Sequence, residues 1–212
     1  MSKNLDSNQV FLKVVLVVLY SLLVSIHNIQ FTRMTTSQLI EQSINDIQDI
    51  LNTINSNLIG LPNETYNWKA NAESWSILEC FEHLNIYNRY YNAALKNAIQ
   101  KANNSSPKDN YKSGWFGQMS INMMKPDNKK KQKTLAKFNP ANNTLDTSVF
   151  DEFIQHQQDL LEMLENAKAI NISKNLVPVE FFKLMKMKIG DTFRFVIVHQ
   201  QRHLQQALRS EK

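Results

Sequence analysis

Two histidines four residues apart, His199 and His203, lie in the run Phe193-Arg194-Phe195-Val196-Ile197-Val198-His199-Gln200-Gln201-Arg202-His203-Leu204. On a helix, a four-residue step returns to the same face one turn later. With Val196 at the centre of the apolar face, Phe193, Gln200, Leu204 and Ala207 fall to one side and both histidines to the other, at about 100° per residue. The imidazoles therefore border an apolar stripe and point partly into a core, where two rings one turn apart can ligate one metal ion. A third ligand must come from another helix. The candidates are His27, His83 and His156. His83, in Trp75-Ser76-Ile77-Leu78-Glu79-Cys80-Phe81-Glu82-His83-Leu84, flanks a second apolar stripe. His156 stands among Gln155, Gln157, Gln158 and Asp159, reads as solvent-exposed, and is set aside. The expectation is a divalent metal site formed by His83, His199 and His203 inside a helical bundle.

Three neutral imidazoles leave at least one coordination position open on Zn²⁺ or a similar ion such as Ni²⁺. Water bound there has its pKa lowered towards ~7. A thiol bound there is held as thiolate. A zincin-type protease is excluded, because that motif needs Glu directly after the first histidine and the residue here is Gln200. No catalytic residue is assigned. Glu79, one turn before His83, and Arg202, beside His203, are the candidates to support the rings. Cys80 reads as a packing residue, and a single cysteine excludes an intramolecular disulfide.

The elements that must position these residues are long helices. Gly 4 and Pro 5 encode few turns, which disfavours many short strands. Leu39, Ile40, Ile44, Ile47, Ile50, Leu51 and Ile54 recur at three- and four-residue steps and predict a first helix over 37–58, capped by Ser37 and ended by Gly60 and Pro62. A second helix is expected over 76–102, where Ser76 and Glu79 have capping-box spacing and Trp75 can staple the entry against Cys80. Residues 103–145 are polar, with a short apolar piece from Trp115 to Met124 that would cover the bundle or line a pocket. The lysines from Lys125 to Lys137 read as a solvated run; a phosphate or anionic-lipid contact is the functional alternative. A third helix is expected over 148–169. The alternation of apolar residues and lysine from Phe182 to Ile189 favours an extended segment there, placed to wall the site. The fourth helix carries the histidine pair, with Asp191 as its N-cap.

Taken together, Trp-then-His-Leu on an early helix and His199-Gln200-Gln201-Arg202-His203-Leu204 on the last resemble the DinB-like family of metal-binding four-helix bundles. The resemblance covers about residues 34–209. It implies an all-α fold, a four-helix bundle of DinB-like type with a long crossover between helices 2 and 3. It carries over only His83, His199 and His203, as ligands of a divalent metal, Zn or Ni. It further implies a thiol S-transferase or hydrolase acting on a small-molecule substrate, with a low-molecular-weight thiol as possible co-substrate. The alternative it leaves open is a non-enzymatic, stress-related bundle with a structural or vestigial metal.

The 212 residues fit one domain plus an appendage. Residues 34–212 form the bundle domain on this reading, and residues 1–33 stand apart. Val14 to Ile26 is an apolar run of 13 residues. It fits a signal-peptide core poorly, since no small-x-small site follows. It is short for a membrane span of about 20 residues. The third reading, translation from Met34, resembles how members of the family begin; it gives a cytoplasmic protein, whereas an anchor across residues 10–26 would tether it to a membrane. The net charge of +5 is too small to suggest a nucleic-acid partner, and a homodimer is compatible with the pattern.

Overall fold

The computed structural model describes residues 34–128, 130, 134–141, 145–180 and 182–210. The apolar run of residues 14–26 and His27 lie outside the described residues. Six helices are described: α1 (Thr36–Asn57), α2 (Asn63–Tyr66), α3 (Ile77–Ala102), α4 (Trp115–Met124), α5 (Ser148–Ala167) and α6 (Ile189–Leu208). Four short strands accompany them: β1 (Met34–Thr35), β2 (Asn110–Tyr111), β3 (Leu176–Val179) and β4 (Phe182–Lys188). The fold is all-α in its body, and none of the described helices is long and apolar enough to cross a membrane.

Two of the four bundle helices start on a capping box that satisfies free N–H groups. At α3 the expected capping box is present: Ser76 Oγ accepts from Glu79 N, and Glu79 Oε2 accepts from Ser76 N. At α1 the box forms two residues earlier than expected, between Thr35 and Gln38 rather than on Ser37. Thr35-Thr36-Ser37 offers three hydroxyls, and only Thr35 has a Gln three residues on to complete the reciprocal pair. The chain leaves α1 through Gly60, whose φ of +88° suits a residue without Cβ. Tyr66 closes that end, its hydroxyl donating to Leu58 O and its ring edge-on to Phe150.

The cross-helix contacts set the topology. Asn85 bonds Val149, Arg89 bonds Glu152 and Asn92 bonds His156, so α3 and α5 run parallel. Tyr91 meets Phe195, Tyr87 meets His199 and His83 meets His203, so α6 runs antiparallel to α3. The helices α1 and α6 start at the end opposite to the starts of α3 and α5, giving an up-down-down-up bundle. Two parallel neighbours in sequence need a long return, and the segment between α3 and α5 supplies it. Within it, α4 lies along α6 and covers the bundle: Gly114 N donates to Asp191 Oδ2, Arg194 donates to Gln118 Oε1, and Arg202 reaches Lys125 O.

Asp191 is not the N-cap of the last helix. β4 runs directly into α6, whose N-cap is Lys188, and Asp191 sits fully buried in the first turn with its carboxylate on the Gly114 amide. The extended segment expected before α6 is present as β4, paired antiparallel with β3 (Leu176↔Lys188, Val177↔Met187). The core joins Ile47, Ile50 and Ile54 of α1 with Phe81, Leu84 and Leu95 of α3, Phe153, Leu160 and Leu164 of α5, and Phe193, Val196 and Ile197 of α6. It also holds amides: Gln200 Nε2 donates to Asn88 Oδ1 across the α3–α6 seam, where both residues are buried.

Candidate metal centre

His83 lies in the second turn of α3, and His199 and His203 lie in the second half of α6. Because these helices are antiparallel, the three rings meet at one end of the bundle. Their closest ligand-capable nitrogens all lie within 4.8 Å of one another. His83 and His199 face each other through Nε2 at 3.2 Å. All three are buried, at 2%, 4% and 9% exposure. The three residues drawn together from the sequence are thus together in space, in a group that could hold a metal ion.

Two of the rings have their tautomer fixed. His83 Nδ1 lies 2.7 Å from the carbonyl oxygen of Phe138, which can only accept, so Nδ1 carries the proton and Nε2 keeps its lone pair. His203 Nδ1 donates to Gln206 Oε1 at 3.0 Å, which leaves its Nε2 lone pair free in the same way. Burial favours the uncharged rings: it takes the His83 pKa down to about 4 and that of His203 to about 3, with the His83 imidazole and Arg202 adding to it at His203. His199 is held well below its ordinary value by burial, then by His203 and His83. Neutral imidazole is the form that ligates.

The donor set fits a metal. Two ligand nitrogens bound at about 2.0–2.1 Å around a tetrahedral ion stand roughly 3.3 Å apart, close to the His83–His199 separation. The Phe138 carbonyl and the Gln206 amide play the part that hydrogen-bonded partners play around metal-bound histidines. Neither was expected. Phe138 stands 55 residues from His83, in a single 3-10 turn (Ala136–Phe138), and no local pattern announces a carbonyl aimed across that distance. Gln206 was legible in principle as the polar residue three positions after His203.

The two expected supports are placed elsewhere. Both Glu79 oxygens are engaged, one by Ser76 N and one by Lys69 Nζ at 2.9 Å, so Glu79 anchors the helix start. Arg202 turns outward and donates to the carbonyls of Lys125, Asn128 and Lys130. Trp75 faces the site, with ring centroids 4.7 Å from His83 and 5.6 Å from His203. Tyr87 packs on both His83 and His199, and Phe195 stacks on His199. The hairpin of β3 and β4 reaches this wall: Glu180 pairs with Lys137, whose neighbour Phe138 lies on Tyr87. Cys80 is fully buried and its thiol pKa is pushed up by burial, as a packing residue requires.

His156 is half-buried rather than exposed, its Nε2 3.3 Å from Glu152 Oε1. It is remote from the three rings, lining a groove of about 780 Å³ between α3 and α5 with Arg89, Asn92 and Lys96.

A family model described as DinB superfamily matches residues 52–207. The chain belongs to the DinB superfamily. The match begins in the last turns of α1 and takes in every element that carries a DinB histidine. No curated protein and no solved structure matches the chain.

Proposed function

We propose that this DinB protein is a divalent-metal-dependent enzyme, a thiol S-transferase or hydrolase, whose metal (Zn²⁺ or Ni²⁺) is held by His83, His199 and His203. The observation that carries the reading is the convergence of three buried neutral imidazoles, two of them with Nδ1 hydrogen-bonded so that Nε2 faces the common centre. When bound, the ion supplies a Lewis-acid position at which water or a thiol loses its proton near neutral pH.

The protein's part is to orient and to dry the site. Phe138 O and Gln206 hold two rings in register. Trp75, Tyr87 and Phe195 exclude water around them, which strengthens electrostatic interactions inside. A small-molecule electrophile with a low-molecular-weight thiol as co-substrate suits this setting, since the attacking thiolate needs no protein base once bound. A structural metal in a stress-related bundle is the competing reading, favoured by the engagement of both Glu79 oxygens. Thiol conjugation to a bromobimane probe, assayed on metal-replete and chelated protein and on His199→Ala, separates the two. Activity that needs both metal and His199 supports the enzyme. Full activity in metal-free protein overturns it.

A further inference from the structure

None of the three histidines lines the groove between α3 and α5. The groove follows these parallel helices from Arg89 to Asn103 on one side and from His156 to Ile170 on the other, about 20 Å at a helical rise of about 1.5 Å per residue. Its volume of about 780 Å³ falls within the range of small-molecule sites, about 300–1,000 Å³. Ile99, Met163 and Ile170 are buried and give it an apolar floor. Its charges are unevenly matched. Arg89 already bridges Glu82 and Glu152, and Glu165 pairs with Lys168. That leaves Asp159 and Glu162 on the α5 wall against Lys96 on the α3 wall, and none of these three forms an ion pair among the described residues. The groove is thus acidic on a chain whose formal charge is +5. Among the described buried side-chain atoms that lack a hydrogen-bond partner, Asn92 Oδ1 is the one that belongs to a residue of this groove. Asn92 is 7% exposed, and its Nδ2 is committed to His156 O.

We propose that this groove is a binding site for a linear aliphatic polyamine, whose ammonium groups meet Asp159, Glu162 and the Asn92 carbonyl while its methylenes cover the apolar floor. The acidic excess selects a cation. The orphaned Asn92 oxygen selects an N–H donor, and an ammonium group donates without needing an acceptor in return. The floor rewards methylenes between the charges, which a hydrated metal ion does not offer. The groove is long, and the step from Asp159 to Glu162 rises about 4.5 Å, the scale of a short methylene spacer between two amines. Lys96 enters the same argument with the opposite sign. Its ammonium is a like charge on the facing wall, so it weakens a bound cation and its removal strengthens binding.

Isothermal titration calorimetry of the full chain with spermidine, at low ionic strength, tests the site. One-to-one binding is expected, and it should persist in metal-stripped protein because no candidate metal ligand lines the groove. Asp159→Asn with Glu162→Gln is expected to weaken binding by more than about tenfold, and Lys96→Gln to tighten it about two- to fivefold. All three side chains reach solvent, so the variants should melt as the wild type does without ligand. Mg²⁺ and triethylene glycol serve as control probes, the first a charge without a chain and the second a chain without a charge. Mg²⁺ binding as tightly as spermidine overturns the polyamine and leaves a plain acidic patch. Triethylene glycol binding as tightly overturns the role of the carboxylates. No spermidine binding to the wild type, equal affinity in the double variant, or weaker binding in Lys96→Gln overturns the site. A concentration-dependent dimer that the double variant disrupts, with spermidine unbound, also overturns it and gives the groove to a second copy of the chain.

Discussion

At the scale of single residues, the centre is defined by which nitrogen carries each proton. Gln206 reaches the far side of one candidate ring, where its side-chain carbonyl oxygen holds His203 Nδ1 at 3.0 Å. Gln206→Leu removes that acceptor and should weaken metal binding about 10–100-fold, measured by competition with a chromophoric chelator, while Gln206→Glu keeps an acceptor and most of the affinity. Equal affinity in Gln206→Leu and wild type would remove Gln206 from the site. The same buried rings make the metal-free protein acid-sensitive. The folded pKa values of His83 and His203, about 4 and about 3, lie below the ordinary 6.5. The unfolded chain therefore binds the extra protons first as pH falls. Stability is whole above 6.5 and declines between there and pH 3–4. Melting curves of metal-free protein at pH 7.5 and pH 5 should show a lower Tm at pH 5, and a double His83→Gln, His203→Gln variant should reduce the difference, leaving the part due to His199. The sequence exposed the three histidines that converge because a four-residue histidine step and a third histidine on an apolar shoulder are local patterns. It hid Phe138, because a backbone carbonyl has no residue signature, and it misdirected Glu79, whose carboxylate was already committed to the Ser76 capping box.

At the scale of elements, the four long helices were readable because their apolar periods are regular, and β4 because alternation with lysine breaks the helical period. The errors came from long-range partners. Asp191 resembles an N-cap by type, but its carboxylate is claimed by Gly114, 77 residues away, and the helix starts at Ile189 without it. His156 is polar by neighbours but half-buried by Asn92 of α3. The docking of α4 on α6 depends on that Asp191 contact. A Cβ at Gly117 would stand 2.4 Å from Asp191 Oδ2 and 2.6 Å from its Cβ, so the clash cannot be relieved by the tip of the side chain alone. Gly117→Ala should cost about 1–3 kcal/mol by overpacking. At this chain length that lowers Tm by several degrees, roughly 2–4 °C per kcal/mol. An unchanged Tm would mean that α4 is not seated on α6 as described.

At the scale of the whole molecule, a metal held by the three histidines would tie together helices that the crossover separates in sequence. α3 and α6 stand far apart along the chain, and their antiparallel packing brings His83 to His199 and His203. An ion bound there stabilises only the folded bundle. At a free metal concentration about a hundredfold above Kd the linkage is about 2.7 kcal/mol. Chelation should therefore lower Tm by roughly 5–10 °C, read by calorimetry before and after chelator and reversed by added metal. A Tm indifferent to chelation would show that the purified protein holds no ion.

The most direct measurement is X-ray absorption spectroscopy of the zinc-loaded full chain. The account predicts three imidazoles and an exchangeable light ligand at about 2.0–2.1 Å, with one imidazole fewer in His83→Ala. A shell containing sulfur, or one left unchanged by His83→Ala, would contradict it.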